Sequence, residues 1–329
     1  MIRATNLESR KVLVTGGAGA IGTNLCRALL DRGAQVIVLD DFSSAYRWNV
    51  PTHPSLTVVA GSVTDDDALK SVFRQGPSLV FHLAALFANQ NSIDNPERDL
   101  LVNGMGTLKV LQYSHLSGVE RLIYASSGCS VYGHAPVPLV EDYNSLELDT
   151  PYQITKMVGE CYCNFFKYYY DVQTVRCRFF NSFGPGEIPG AYRNVIPNFI
   201  YWAMSGRPLP VMGDGRQTRD WTFVEDIVDG LLRAAASPEA VGDAFNLASA
   251  RETHVIDMAH AVLELTGGGA GIEYLPMRKW DTKKRLLASI DKARRVLGYE
   301  PQTGFRTGLE RTVAWFRKNW EQIQRSAKF

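Results

Sequence analysis

The chain has 329 residues, a formal net charge of +1, 45% hydrophobic and 21% charged residues, the balance of a globular enzyme large enough for two lobes. The near-zero charge excludes a general pull toward nucleic acid or an anionic membrane surface, and no apolar run approaches the ~20 residues that span a bilayer. Five cysteines without metal-site spacing are expected to be reduced thiols, so a cytoplasmic protein without a metal site is expected.

The polar start, Met1 to Lys11, leads straight into a strand and reads neither as a signal peptide nor as a transit sequence. Lys11–Thr15 is a short apolar run ending in glycines, the mark of a buried parallel strand. A helix is expected from Gly22 to Arg32, with Leu25, Ala28 and Leu29 on one face and Gly33 as its stop. Further strands are expected at Gln35–Leu39, Leu56–Ala60, Leu79–Leu83 and Arg121–Ser126, the last after a helical stretch from Pro96 to Ser117. Strands and helices alternating at this pitch build right-handed βαβ units and a doubly wound parallel sheet. From about Arg178 the texture turns richer in Pro, Gly and charge, which reads as a smaller lobe. The apolar Ala244–Leu247 is expected to return to the sheet, and Gly267–Gly271 is a short turn.

Two constellations carry chemistry. After the first strand, Gly16, Gly19 and Gly22 follow G-x-x-G-x-x-G between a strand and a helix. There they make a tight turn, let a pyrophosphate approach the backbone and pack helix on strand. The helix start then offers N–H groups to phosphate. Asp40, or its neighbour Asp41, stands where a carboxylate accepts from both ribose hydroxyls and repels a 2′-phosphate, so NAD is expected rather than NADP. Further on, Tyr152 and Lys156 stand four residues apart and share one face if Pro151 opens a helix. A phenol is a poor base at neutral pH, and a neighbouring ammonium favours its phenolate.

Together these motifs resemble the extended short-chain dehydrogenases/reductases, specifically the nucleotide-sugar epimerase and dehydratase family that includes UDP-glucose/galactose 4-epimerase-like enzymes. The resemblance runs nearly the whole length. It also rests on His82-Leu83-Ala84-Ala85, Asn103, Ser126 to Gly133, Arg178 to Asn181 with Gly184-Pro185-Gly186, Gln217 to Asp220, Asp291-Lys292-Ala293 and Leu297-Gly298-Tyr299. It implies an α/β fold, a Rossmann-type doubly wound parallel sheet with a smaller C-terminal substrate lobe. The division expected is 1–178 for NAD, joined by a returning segment near 220–250, and 179–329 for the nucleotide sugar. NAD is then expected against Gly16, Gly19, Ala20, Ile21, Gly22, Asp40, Asp41, Ser62, Val63, Leu83, Ala84, Ala85, Asn103, Tyr152 and Lys156. A nucleotide-diphosphate sugar is expected against Asn181, Val195 and Arg219, with Asp281 or Arg285 reaching the diphosphate or the nucleotide ribose. The alternative for Arg219 and Arg285 is a solvated charge.

The sequence departs from the family at three places. The Ser or Thr that bonds the reacting hydroxyl falls on Gly128, so Ser127, Ser130 or a water must replace it. The acidic pair of the dehydratases falls on Cys129 and Ser130, which disfavours dehydration and decarboxylation. Cys129 reads either as a thiol acid/base, as in 3,5-epimerases, or as a small packed residue. The Asp that holds adenine is replaced at Gly61-Ser62-Val63 by a weaker partner. Phe87 to Asn91 is rich in amides that either read sugar hydroxyls or cap a helix. The reading is NAD-dependent epimerisation at C4 through a 4-keto sugar. The alternatives are a dehydratase, decarboxylase or 3,5-epimerase using Cys129 or Ser130, and a non-catalytic NAD-sensing module. A homodimer is implied as well, pairing the helices near Leu100–Ser117 and Tyr152–Tyr170 in a four-helix bundle.

Overall fold

The structure is a computed structural model describing residues 7–143, 145–269 and 271–329. The first six residues, within the polar start, and residue 270, within the Gly267–Gly271 turn, lie outside the described residues, as does residue 144. The first half alternates as expected: β1 (Lys11–Thr15), α1 (Ala20–Leu30), β2 (Gln35–Asp40), β3 (Leu56–Ala60), α2 (Asp66–Phe73), β4 (Leu79–His82), α3 (Asn89–Asp94), α4 (Pro96–Asp99), α5 (Gly106–Leu116), β5 (Arg121–Ser127), α6 (Pro151–Tyr170) and β6 (Thr174–Phe179). The helical stretch expected from Pro96 to Ser117 includes a π-helical segment, Leu100–Met105, between α4 and α5.

The second half carries β7 (Ser182–Phe183), α7 (Val195–Met204), β8 (Leu209–Met212), β9 (Thr218–Asp220), β10 (Thr222–Phe223), α8 (Val224–Ala236) and β11 (Ala244–Leu247). After them come β12 (Glu252–His254), α9 (Val255–Thr266), β13 (Ile272–Leu275), α10 (Asp291–Leu297), α11 (Phe305–Lys318) and α12 (Trp320–Ser326). The main sheet has seven parallel strands in the order β11-β6-β5-β4-β1-β2-β3. Its middle strands read as continuous apolar runs because helices cover both faces; Val12, Val14, Val36 and Val38 are all at most 1% exposed.

The chain leaves the sheet after β6 and returns through α8 and β11, which pairs with β6 from Ala244↔Arg176 to Leu247↔Phe179. A separate core built on Phe199, Met258, Val262 and Phe316 holds the smaller lobe. The last residues tie this lobe to the other. Trp48 Nε1 donates to Ser326 Oγ at 3.0 Å and the Tyr46 hydroxyl donates to the Ser326 carbonyl.

Candidate active site

The strand order reverses between β1 and β4, and a ligand crevice forms at the carboxyl ends of parallel strands at such a switch point. Here it is a cavity of about 570 Å³ between the lobes, lined by residues of both, Gly16 and Trp221 among them. The glycine turn is sterically obligatory. A Cβ on Gly16 would stand 2.7 Å from Ala84 N, and one on Gly22 would stand 2.3 Å from the Gly16 carbonyl. Gly16 also takes a positive φ of 69°. Helix α1 starts at Ala20, two residues earlier than expected, with Gly19 before it and no side chain capping it. Its first N–H groups therefore face the cavity and are available to an anion.

Asp40 ends β2 and is 9% exposed. Its carboxylate accepts from Ala18 N–H and Phe42 N–H, both at 2.9 Å. Burial raises its pKa, and those two backbone donors pull it back. Asp41 also lines the cavity, but its carboxylate is engaged by Ser43 N–H at 2.9 Å. An uncapped helix start, a Cβ-free turn and a held carboxylate, all lining one cavity, fit a dinucleotide with an unphosphorylated ribose. Ser62, Val63, Leu83, Ala84 and Ala85 line the same end. Ser62 Oγ is 2.9 Å from Thr64 Oγ1 and accepts from Thr64 N–H, so it is already part of a local turn.

Asn103 does not reach the cavity, contrary to expectation. It is 2% exposed, its Oδ1 accepts from Leu86 N–H at 2.7 Å, and its Nδ2 donates to Leu86 O and Asp99 Oδ1. Its amide is consumed in holding the Leu83–Leu86 segment against the wall.

Helix α6 sets the reacting groups. Pro151 opens it and the Thr150 hydroxyl caps it by accepting from Gln153 N–H. Tyr152 and Lys156 both face the cavity, with Lys156 Nζ 5.7 Å from the Tyr152 ring centroid and donating to the Ala125 carbonyl at 2.8 Å. Burial lowers the Lys156 pKa to about 8. Burial first, then the Asp99 carboxylate and the Cys129 thiol, raise the Tyr152 phenol above its ordinary value, while a hydrogen bond with Ser127 works the other way. The protein groups alone therefore do not deliver the phenolate that the neighbouring ammonium led one to expect. Desolvation outweighs an ammonium that spends a donor on a carbonyl.

The loop after β5 answers the question raised by Gly128. A Cβ there would stand 2.0 Å from the Phe180 ring, so no larger residue fits. Ser127 meets the Tyr152 phenol instead, and its hydroxyl donates to Ser130 Oγ at 2.9 Å. Cys129 lines the cavity with Sγ 3.5 Å from Asn181 Oδ1, and burial pushes its thiol up to about 12. Behind this loop, Glu160 and Arg178 form a buried ion pair at 2.8 Å, with Ser126 donating to Glu160 and Arg178 donating to the Tyr132 hydroxyl. That network pins the loop to α6.

From the smaller lobe, Asn181, Val195, Arg219 and Asp281 line the cavity. Arg219 is paired with Asp281 at 2.6 Å and donates to the Lys283 carbonyl. Arg285 is not at the site: it is ion-paired with Glu252 on the surface. Several lining residues carried no recognisable signal. Lys283 and Arg278 lie in a charged run, Arg193 is half-buried, and Glu187 is buried with its pKa raised to about 7. Trp280 Nε1 donates to Gln90 Oε1 at 2.8 Å, joining the amide-rich segment to the smaller lobe.

Known proteins are similar to this chain over most of its length. The family model for the NAD dependent epimerase/dehydratase family matches residues 12–248. The chain is 58% identical to the epimerase Mth375 of Methanothermobacter thermautotrophicus, with a TM-score of 0.97 over 98% of this chain and 96% of that one. It is 37% identical to the Bordetella bronchiseptica enzyme WbmF, solved with NAD+ and UDP, with a TM-score of 0.85 over 97% and 96% of the two chains. UDP-glucose 4-epimerase of Mycolicibacterium smegmatis is 33% identical over 93% of this chain and 98% of its own length. A match that starts on β1, includes the glycine turn and the Tyr152/Lys156 helix and ends on the returning strand β11 leaves one assignment: the chain belongs to the NAD dependent epimerase/dehydratase family.

Proposed function

We propose that the protein binds NAD and a nucleoside-diphosphate sugar and inverts the sugar at C4 through a 4-keto sugar, with no net redox change. The observation that carries this is the burial of Tyr152 and Lys156 in the same cavity that begins at the glycine turn and Asp40. When bound, NAD supplies a hydride acceptor that becomes the donor for the return, and a positive charge beside the phenol. The start of α1 and the Asp40 carboxylate hold the pyrophosphate and the adenosine ribose. Tyr152 takes the proton of the C4 hydroxyl and gives it back, and Ser127 orients that hydroxyl in place of the residue missing at Gly128. Lys156 holds its ammonium beside the phenol. Arg219 and Arg278 serve the diphosphate, with Asn181 beside it. Remote binding of the nucleotide leaves the sugar itself free to turn.

Dehydration and decarboxylation find no carboxylate at Cys129 or Ser130, and a thiol pushed up to about 12 is a poor base at neutral pH. A sensing module would not need a phenol and an ammonium buried together. The test is incubation with UDP-, GDP-, CDP- and dTDP-sugars in deuterated water, read by NMR and mass spectrometry. An isomer of unchanged mass with no deuterium on carbon is expected. Deuterium at C3 or C5, or loss of water or carbon dioxide, would overturn hydride return at C4 and move the chemistry to Cys129 and Ser130.

The working division is residues 1–178 with α8 and β11 for the cofactor, and the rest of 179–329 for the nucleotide sugar. No helix among the described residues is long and apolar enough to cross a membrane, and a cytoplasmic setting suits the five free cysteines. We also infer a homodimer through the outer faces of α4 to α6, where Leu100, Leu101, Phe165 and Tyr169 are 58%, 51%, 45% and 73% exposed. An apolar face of this kind marks an interface. Light scattering is expected to give twice the 36.6 kDa chain mass, and Phe165→Glu is expected to give monomers. A monomeric wild type at micromolar concentration would sink the idea.

A further inference from the structure

Four cations lining the cavity are buried or half-buried: Lys156, Arg193, Arg219 and Lys283. Lys156 belongs with Tyr152, Arg219 has Asp281 at 2.6 Å, and Arg193 lies in the field of Glu187 and Asp40. Lys283 is different. Its Nζ donates to the Cys129 carbonyl at 2.8 Å, and no carboxylate among the described residues comes within 4.0 Å of it. The acids that act on it from farther off are Asp149 and Asp281. Both are engaged elsewhere, Asp149 with His134 at 3.1 Å and Asp281 with Arg219.

A desolvated ammonium with one carbonyl partner is costly to hold, and it is satisfied by an incoming anion. Its position selects which anion. Cys129 sits two residues beyond Ser127, which bonds the Tyr152 phenol, and its thiol faces Asn181. Lys283 Nζ therefore stands at the loop that carries Ser127 and Cys129, between the Tyr152 phenol and the Arg219 guanidinium, which donates to the Lys283 carbonyl at 3.0 Å.

We propose that Lys283 receives a carboxylate carried by the sugar on the carbon next to the reacting one, so that the substrate is a nucleoside-diphosphate hexuronic acid. This rests on the epimerase reading above and narrows its substrate class. One ammonium matches one carboxylate in charge. The carbonyl of Cys129 holds the lysine in place, and its remaining N–H groups point to no protein acceptor among the described residues. A neutral hexose would leave that charge uncompensated, which sets the direction of the preference.

The test titrates the NAD-loaded protein calorimetrically with UDP-glucuronate, UDP-glucose and UDP, for wild type, Lys283→Gln and Lys283→Arg. Wild type is expected to bind the uronate about 10–100-fold more tightly than the hexose, the ratio set by one charge-assisted bond. Lys283→Gln is expected to collapse that ratio to within about twofold, and Lys283→Arg to keep most of it, through the retained charge. No preference in the wild type would overturn the inference while leaving the epimerase reading standing. An equal loss for UDP alone in Lys283→Gln would assign the lysine to the diphosphate and overturn it as well. Failure of the wild type to bind any of the three ligands would sink both this inference and the epimerase reading.

Discussion

Replacing Tyr152 with phenylalanine is expected to lower turnover by about 10²–10⁴-fold, the range for loss of a positioned proton-transfer group. The substitution removes only a hydroxyl. The ring keeps its edge-on contact with Phe87 at 5.9 Å and its place on α6, so the fold is expected to survive. The size of the effect follows from the surroundings. Burial and the Asp99 carboxylate raise the phenol, so the native protein must spend interactions to use it as a base. The Cys129 thiol, pushed up to about 12, is no substitute. The pH dependence has a definite sign. Lys156 is cationic below its lowered value of about 8 and loses its charge as pH rises through it. Support for the phenolate is therefore expected to fade on the alkaline side in protein freed of cofactor. Progress curves by NMR, beside thermal unfolding of the same preparation, separate lost chemistry from lost fold. Turnover within tenfold of wild type would remove Tyr152 from the mechanism.

The second large effect is expected at Gly128, where restoring the family's serine should harm rather than help. Its Cβ would come 2.0 Å from the Phe180 ring, and Phe180 is 1% exposed in the main core, packed beside Tyr132. Forcing a side chain there costs about 1–3 kcal/mol in overpacking. The displaced loop also carries Ser127 away from the phenol. Gly128→Ser is expected to lower both the unfolding temperature and turnover. A variant as stable as wild type and more active would show that Ser127 is not the working hydroxyl. Adding Phe180→Leu makes room, and is expected to recover part of the stability lost by Gly128→Ser.

The legible parts of this protein are those in which local chemistry and tertiary position coincide. The run Lys11–Thr15, the glycine turn and Asp40 at the end of β2 are close in sequence, and each needs its residue type for a backbone reason. Tyr152 and Lys156 are set by one helix, so spacing alone places them on one face. Residues whose role depends on a distant neighbour stayed hidden. Gly128 looked like a loss until Phe180 was seen to occupy the space. Asn103 carries an amide suited to a ligand, yet Leu86 and Asp99 consume it. In the run Lys283-Lys284-Arg285 nothing distinguishes the three charges locally; the fold brings Lys283 to Cys129 and leaves Arg285 with Glu252. The helical stretch from Pro96 is legible, but its π-helical segment carries no composition mark.

The return of β11 to the sheet sets an order of events during synthesis. When residues 1–178 have left the ribosome, β6 has β5 on one side and a bare row of backbone N–H and C=O groups on the other. That row is covered only after some seventy further residues, when Ala244–Leu247 arrives. An apolar strand left open in this way is a template for pairing with another nascent chain. The lobe that follows is thus also a delay, and its translation speed governs how long the exposed edge is at risk. Helix α8 precedes β11 in the chain and packs on α1 in the finished fold, so it leads the strand to its partner. Protection of β6 belongs to residues that come after it, so a chain cut near residue 179 would keep the cofactor motifs and still be prone to aggregate.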